Sequence, residues 1–143
     1  MANDCYSTRS AYRIQLSASY TRFRYSQIWK AQAENRCKVF GWILVQEKIL
    51  TADNLQKRGW PHQEHCVLCD GPLETGLHLA LLCPFAKAAW NQVLAWEDFD
   101  TQLANTQPEP MHIDDWWDKA AHKVPKPMKR QFNRVVIHTI WNI

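Results

Sequence analysis

The stretch CVLCDGPLETGLHLALLC constrains this chain more than any other, because it sets Cys66, Cys69, His78 and Cys83 in the pattern C-x2-C-x8-H-x4-C. A tetrahedral zinc ion takes sulfur ligands at about 2.3 Å and nitrogen ligands at about 2.0–2.1 Å, and three thiolates with one imidazole complete its shell. The two-residue gap between Cys66 and Cys69 lets one tight turn aim both sulfurs at one point, and Asp70-Gly71-Pro72 then reverses the chain toward His78. Five residues along a continuous α-helix separate side chains by about 140°, so one helix cannot present both His78 and Cys83. Pro84 resolves this: it biases Cys83 away from helical angles and suits the first turn of a new helix, whose dipole favours a thiolate at Cys83. Four protein ligands leave no position for water, so the expected role is structural, with one Zn2+ contributing folding energy of about 10–16 kcal/mol. That is large beside a domain stability of about 5–15 kcal/mol. The plainer alternative is three buried core cysteines and a hydrogen-bonded histidine; His62 and His65 are rival ligands.

The cysteine count supports the metal reading. Five cysteines with no export signal point to a reducing, intracellular setting, with nucleus and cytoplasm not distinguished, where metal binding outweighs a disulfide framework. No segment approaches the ~20 consecutive apolar residues of a membrane helix, so no membrane partner is expected.

Charge is unevenly spread. Residues 1–60 carry ten Lys/Arg and four Asp/Glu (+6), residues 61–122 two and ten (−8), and residues 123–143 five and none (+5), which together make the net +3. Basic ends attract nucleic-acid phosphates, more weakly as salt rises; alternatively they pair with the acidic middle or are solvated. ASYTRFRYSQIWK interleaves rings and cations, so Tyr20, Arg22, Tyr25, Arg24 and Lys30 are candidates for gripping a single strand of RNA or DNA. The other reading is a loop whose rings turn into the core.

The periodicity predicts an all-α fold, a small helical domain around an irregular zinc-knuckle segment. Its parts are a basic helical region 1–60, the knuckle with its following helix 61–96, a polar connection 97–110 and C-terminal helices 111–143. Residues 34–50 read as a mostly buried helix with Val39, Phe40, Ile43 and Leu44 on one face and Gly41 as a weak point. Thr51 caps a short helix that Gly59 stops. After Cys83, Phe85, Ala89, Trp90, Val93 and Leu94 form a core-facing stripe. MHIDDWWDKAAHK is a short acidic helix. From Met128 onward, Phe132, Val135, Val136, Thr139, Ile140 and Ile143 share a face, with Lys129, Arg130 and Arg134 off it.

Taken together these segments resemble the zinc-binding region C-terminal to the reverse transcriptase domain of plant LINE-type (non-LTR) retrotransposons. YSTRSAYRIQ is similar to that family's opening motif, IWKAQAENRCKVFGWILVQEKILTADNLQKRG to its central helices, and CVLCDGPLETGLHLALLCPFAKAAW to its zinc segment, with DDWWDKA and VVIHTIWNI like its downstream region. Asn35-Arg36-Cys37-Lys38 stands where members usually carry a proline-lysine pair, and the chain stops where relatives commonly continue, as a fragment or element-derived small protein would. The resemblance implies the same four zinc ligands and a non-catalytic accessory role in holding RNA or DNA for a polymerase. The competing class is a zinc-braced protein-interaction scaffold, anchored by exposed tryptophans among Trp60, Trp96, Trp116 and Trp117. An enzyme is disfavoured: Asp114-Asp115 precedes two tryptophans in a helical pattern and lacks a strand context for polymerase metals, and no phosphate-binding glycine loop, G-x-S-x-G or H-E-x-x-H motif occurs.

Overall fold

A computed structural model describes residues 25–104 and 110–143. Among them every regular element is helical: α1 (Ser26–Lys30), α2 (Asn35–Val45), α3 (Ala52–Lys57), a π-helical turn (His78–Leu82), α4 (Pro84–Trp96), α5 (Ile113–Lys123) and α6 (Lys129–Asn142), with 3-10 turns at Thr101–Leu103 and Lys126–Met128. The all-helical expectation holds. Residues 58–77 are the irregular stretch between α3 and the π turn.

α6 is the hub. It packs against α1, α2, α4 and α5, and an apolar face at helical spacing makes that arrangement stable. Phe132, Val135, Val136, Thr139 and Ile140 are buried as their spacing predicts; Asn133 and Ile137 are buried as well, so the covered arc is wider than a single stripe. Asn133 accepts the Trp117 indole N–H at 2.8 Å, which satisfies both polar groups inside the core. Trp90 and Trp116 meet at 5.0 Å between ring centroids, and Phe99 meets Phe132 edge-on at 5.5 Å. Burying Phe99 and Leu103 ties the start of the polar 97–110 stretch to the core; residues 105–109 lie outside the description.

Two helix faces differ from expectation. α2 buries Cys37, Gly41, Leu44 and Val45, while Val39 is exposed and Phe40 and Ile43 are only half-buried. The cause is the approach of α6. A Cβ on Gly41 would stand 3.3 Å from the Ile140 Cδ1 atom, so the small residues Cys37 and Gly41 mark the side on which the helices come close. Gly41 is a packing position, not a weak point. Phe40 instead lies edge-on to Trp141 at 5.3 Å. In α4 the covered line is Ala86, Trp90 and Leu94, rotated from the predicted stripe, and Phe85 is exposed. α3 stops as predicted, with the Gly59 N–H on the Gln56 carbonyl and the Trp60 N–H on the Leu55 carbonyl. Thr51 holds the N-cap position with extended backbone, but its hydroxyl donates to the Asp53 carboxylate and does not accept from a first-turn N–H.

Candidate metal centre

The ligand atoms of Cys66, Cys69, His78 and Cys83 all lie within 4.8 Å of one another. Sulfurs about 2.3 Å from a tetrahedral ion stand about 3.7 Å apart, so this cluster has the size of a zinc shell. The Cys69 sulfur faces the His78 Nε2 at 3.3 Å. Cys66 and Cys83 are 0% exposed, His78 is buried and Cys69 half-buried, so the donors converge inside the protein.

Each donor is aimed by local backbone. Between Cys66 and Gly71 the chain closes on itself: the Asp70 N–H donates to the Cys66 carbonyl at 2.9 Å and the Cys66 N–H to the Gly71 carbonyl at 3.4 Å. Asp70 takes the left-handed conformation (φ 51°), which Asp tolerates better than most residues. Gly71 gives the site room: a Cβ there would lie 3.0 Å from the Cys69 sulfur and would push on it. Thr75 accepts the His78 backbone N–H through its hydroxyl at 3.0 Å and so starts the turn that carries the imidazole.

The five-residue interval from His78 to Cys83 is bridged by the π turn. The Cys83 N–H donates to the His78 carbonyl at 2.7 Å, an i→i+5 bond joining the backbones of these two donor residues. A plain break was expected; a widened turn brings the two residues together instead. Cys83 itself is extended (φ −58°, ψ 133°) and caps α4, whose first residue is Pro84, as the Cys-Pro pair predicts. Pro84 has no N–H to offer the Ala80 carbonyl four residues before it. The Trp90 indole N–H fills that need at 2.7 Å inside the core.

Electrostatics suit a cation. Burial pushes the Cys69 thiol up, a backbone hydrogen bond from Gly71 draws it down, and the adjoining Cys83 and Cys66 thiols push it up again, leaving it raised. A bound cation reverses such a shift and takes the thiol as thiolate. Burial lowers His78 against the opposing pull of Glu74, which favours the neutral imidazole that a metal binds. The rivals stand apart: the His62 and His65 Nδ1 atoms face the backbone carbonyls of Trp60 and Gly71. Of the candidate strand-gripping residues, Tyr20, Arg22 and Arg24 lie outside the described residues, Tyr25 packs half-buried against the core, and Lys30 is exposed. The closeness of Gly71 to the Cys69 sulfur, the part of Thr75 and the Trp90 bond to Ala80 are not legible in the sequence, although a threonine three residues ahead of His78 is a recognisable cap signal.

A closed Cys3His cluster set between short helices defines a zinc-binding helical domain. The family model described as zinc-binding in reverse transcriptase matches residues 6–90, and the chain belongs to that family. The match ends at Trp90. A protein of Arabidopsis thaliana named provisionally as a ribonuclease H protein is 26% identical over 93 residues, covering 62% of this chain and 15% of that relative. The chain therefore spans a small part of the relative it matches. No solved structure matches it.

Two substitutions test this reading of the centre. Gly71→Ala is expected to keep the helical fold while weakening zinc affinity about tenfold, within the usual range for residues that support a ligand; competition with a chromophoric chelator measures this, and unchanged affinity would contradict it. Trp90→Phe keeps a ring but strands the Ala80 carbonyl, so a stability loss of about 1–3 kcal/mol is expected in denaturant unfolding. A loss near zero would show that the indole N–H is dispensable.

Proposed function

We propose that this chain is a non-catalytic accessory module of reverse-transcriptase type, of the plant LINE kind. In it Cys66, Cys69, His78 and Cys83 hold one structural zinc ion, and the module binds RNA or DNA. The observation that carries the reading is the closed cluster of four donors, three buried and Cys69 half-buried, inside the stretch that matches the family. When bound, zinc supplies a cross-link between the knuckle turn, the π turn and the start of α4; the protein's own residues supply the turn geometry, the neutral imidazole and the dry surroundings. Four protein donors leave no open coordination position, which favours a bracing role over a reactive one.

The charge distribution favours nucleic acid. Among the described residues, Arg134 with Glu97 is the one ion pair joining residues 123–143 to residues 61–122, so most described cations of the C-terminal end are not consumed by the acidic middle. The scaffold reading retains support from Trp60 and Trp96, which are exposed, but Trp116 and Trp117 are buried in the core and are unavailable as anchors. Asp114 and Asp115 lie in the first turn of α5, where negative charge favours the helix dipole, which accounts for them without polymerase chemistry. The ribonuclease H designation describes the relative, most of which lies outside the matched segment.

Binding of the zinc-loaded protein to single-stranded RNA and DNA across a salt series tests this function. Affinity is expected to fall linearly on a log–log plot with a slope of about −0.7 per phosphate engaged. Absence of binding at low salt would contradict the nucleic-acid reading and favour the scaffold.

A further inference from the structure

Among the described residues the cations of the two basic ends meet. A cleft of about 700 Å³ opens between the α1–α2 region and the N-terminal end of α6, lined by Trp29, Lys30, Lys38, Lys126, Lys129 and Arg130 together with Ala31, Gln32 and Asn133. Five cations line it, and no carboxylate among the described residues does. Lys38 donates to the Trp29 carbonyl at 3.4 Å, while Lys30, Lys126, Lys129 and Arg130 form no ion pair among the described residues.

Stability alone disfavours this arrangement. Three of the cations gather at the N-terminal end of α6, where the positive end of the helix dipole repels them, and no acidic residue occupies the first turn. Like charges around one cleft repel as well. An anion relieves both, because it meets the side-chain cations and the helix dipole together. Trp29 adds a second chemistry: the residue is 43% exposed at the cleft wall, although it carries one of the largest apolar side chains of the protein. Cations that follow a phosphate backbone beside an accessible ring are the means by which proteins hold unpaired nucleotides.

We propose that this cleft seats single-stranded nucleic acid, with phosphates against Lys30, Lys38, Lys126, Lys129 and Arg130 and one unpaired base stacked on Trp29. The inference rests on the accessory-module reading and assigns its binding surface to the side of the fold built by α1, α2 and α6. The zinc cluster acts on it indirectly, through the helices it braces.

The test uses the zinc-loaded full chain, a short unstructured RNA, the matching single-stranded DNA and a duplex of the same length. K126E/R130E is expected to lower single-strand affinity at least about tenfold and to flatten the log–log salt slope by about 1.4, the share of two phosphates. The control K48E/K87E changes the net charge equally on exposed residues outside the cleft and is expected to leave affinity within about twofold. Trp29→Ala is expected to cost roughly 5- to 150-fold while leaving the salt slope unchanged. Zinc content and circular dichroism establish that each variant is folded; a Trp29→Phe variant that restores much of the affinity marks the ring as a stacking surface. Equal losses in cleft and control variants would overturn the site in favour of diffuse charge. Tight wild-type binding that no cleft variant alters would overturn the site while leaving the accessory function standing. Duplex binding as tight as single-strand binding would overturn the stacked base, and no binding of any probe would overturn both proposals.

Discussion

The convergence of Cys66, Cys69, His78 and Cys83 is the constraint on which the rest of the structure depends. Residues 61–74 form no regular helix, and few backbone hydrogen bonds hold them: the Cys66–Asp70 and Cys66–Gly71 pair, and the Asp53 N–H on the Glu74 carbonyl. Such a segment loses conformational entropy without the return that a helix ladder gives. Four donors on one cation would supply the missing fixation, at the place where the π turn hands the chain to α4. From there Trp90 carries the constraint inward, since its ring touches Trp116 and its N–H holds the Ala80 carbonyl of the π turn. The metal centre and the core are thus one mechanical unit.

α6 distributes that order to the other elements. It touches α1, α2, α4 and α5, although it lies beyond the stretch that matches the family. Described cations of both basic ends are brought to one cleft because α6 packs against α1 and α2. Among the described residues, Arg134 alone of the last cations reaches an acidic partner, at 2.9 Å from Glu97; Lys126, Lys129 and Arg130 line the cleft.

Legibility in the sequence followed from how local each signal is. The donor set, the reversal at Asp70-Gly71, the Cys-Pro entry to α4 and the stop at Gly59 depend on residues within a few positions, and all four appear as the chain predicts. The π turn has no such mark: an i→i+5 bond differs from its α counterpart only in register, and HLALL would suit either. Helix faces were ambiguous where apolar residues surround the helix. α2 carries Val39, Phe40, Trp42, Ile43, Leu44 and Val45, so periodicity could not choose a side, and the choice fell to Cys37 and Gly41, which let α6 approach. Trp116 and Trp117 illustrate the same limit: neighbours in sequence, both are buried, and Ala104 and Asn133 accept their indole N–H groups.

The account stands most directly on what the metal does to the fold. Zinc is removed completely from the full chain, as verified by metal analysis, and near- and far-UV circular dichroism and thermal melting are compared with the zinc-loaded protein. Loss of the near-UV signal from the buried Trp90–Trp116 pair, together with loss of a cooperative melt, both restored by zinc, is the result the account predicts. Unchanged spectra and an unchanged melting temperature in the metal-free protein would contradict it, and would make the four side chains ordinary members of a self-sufficient core.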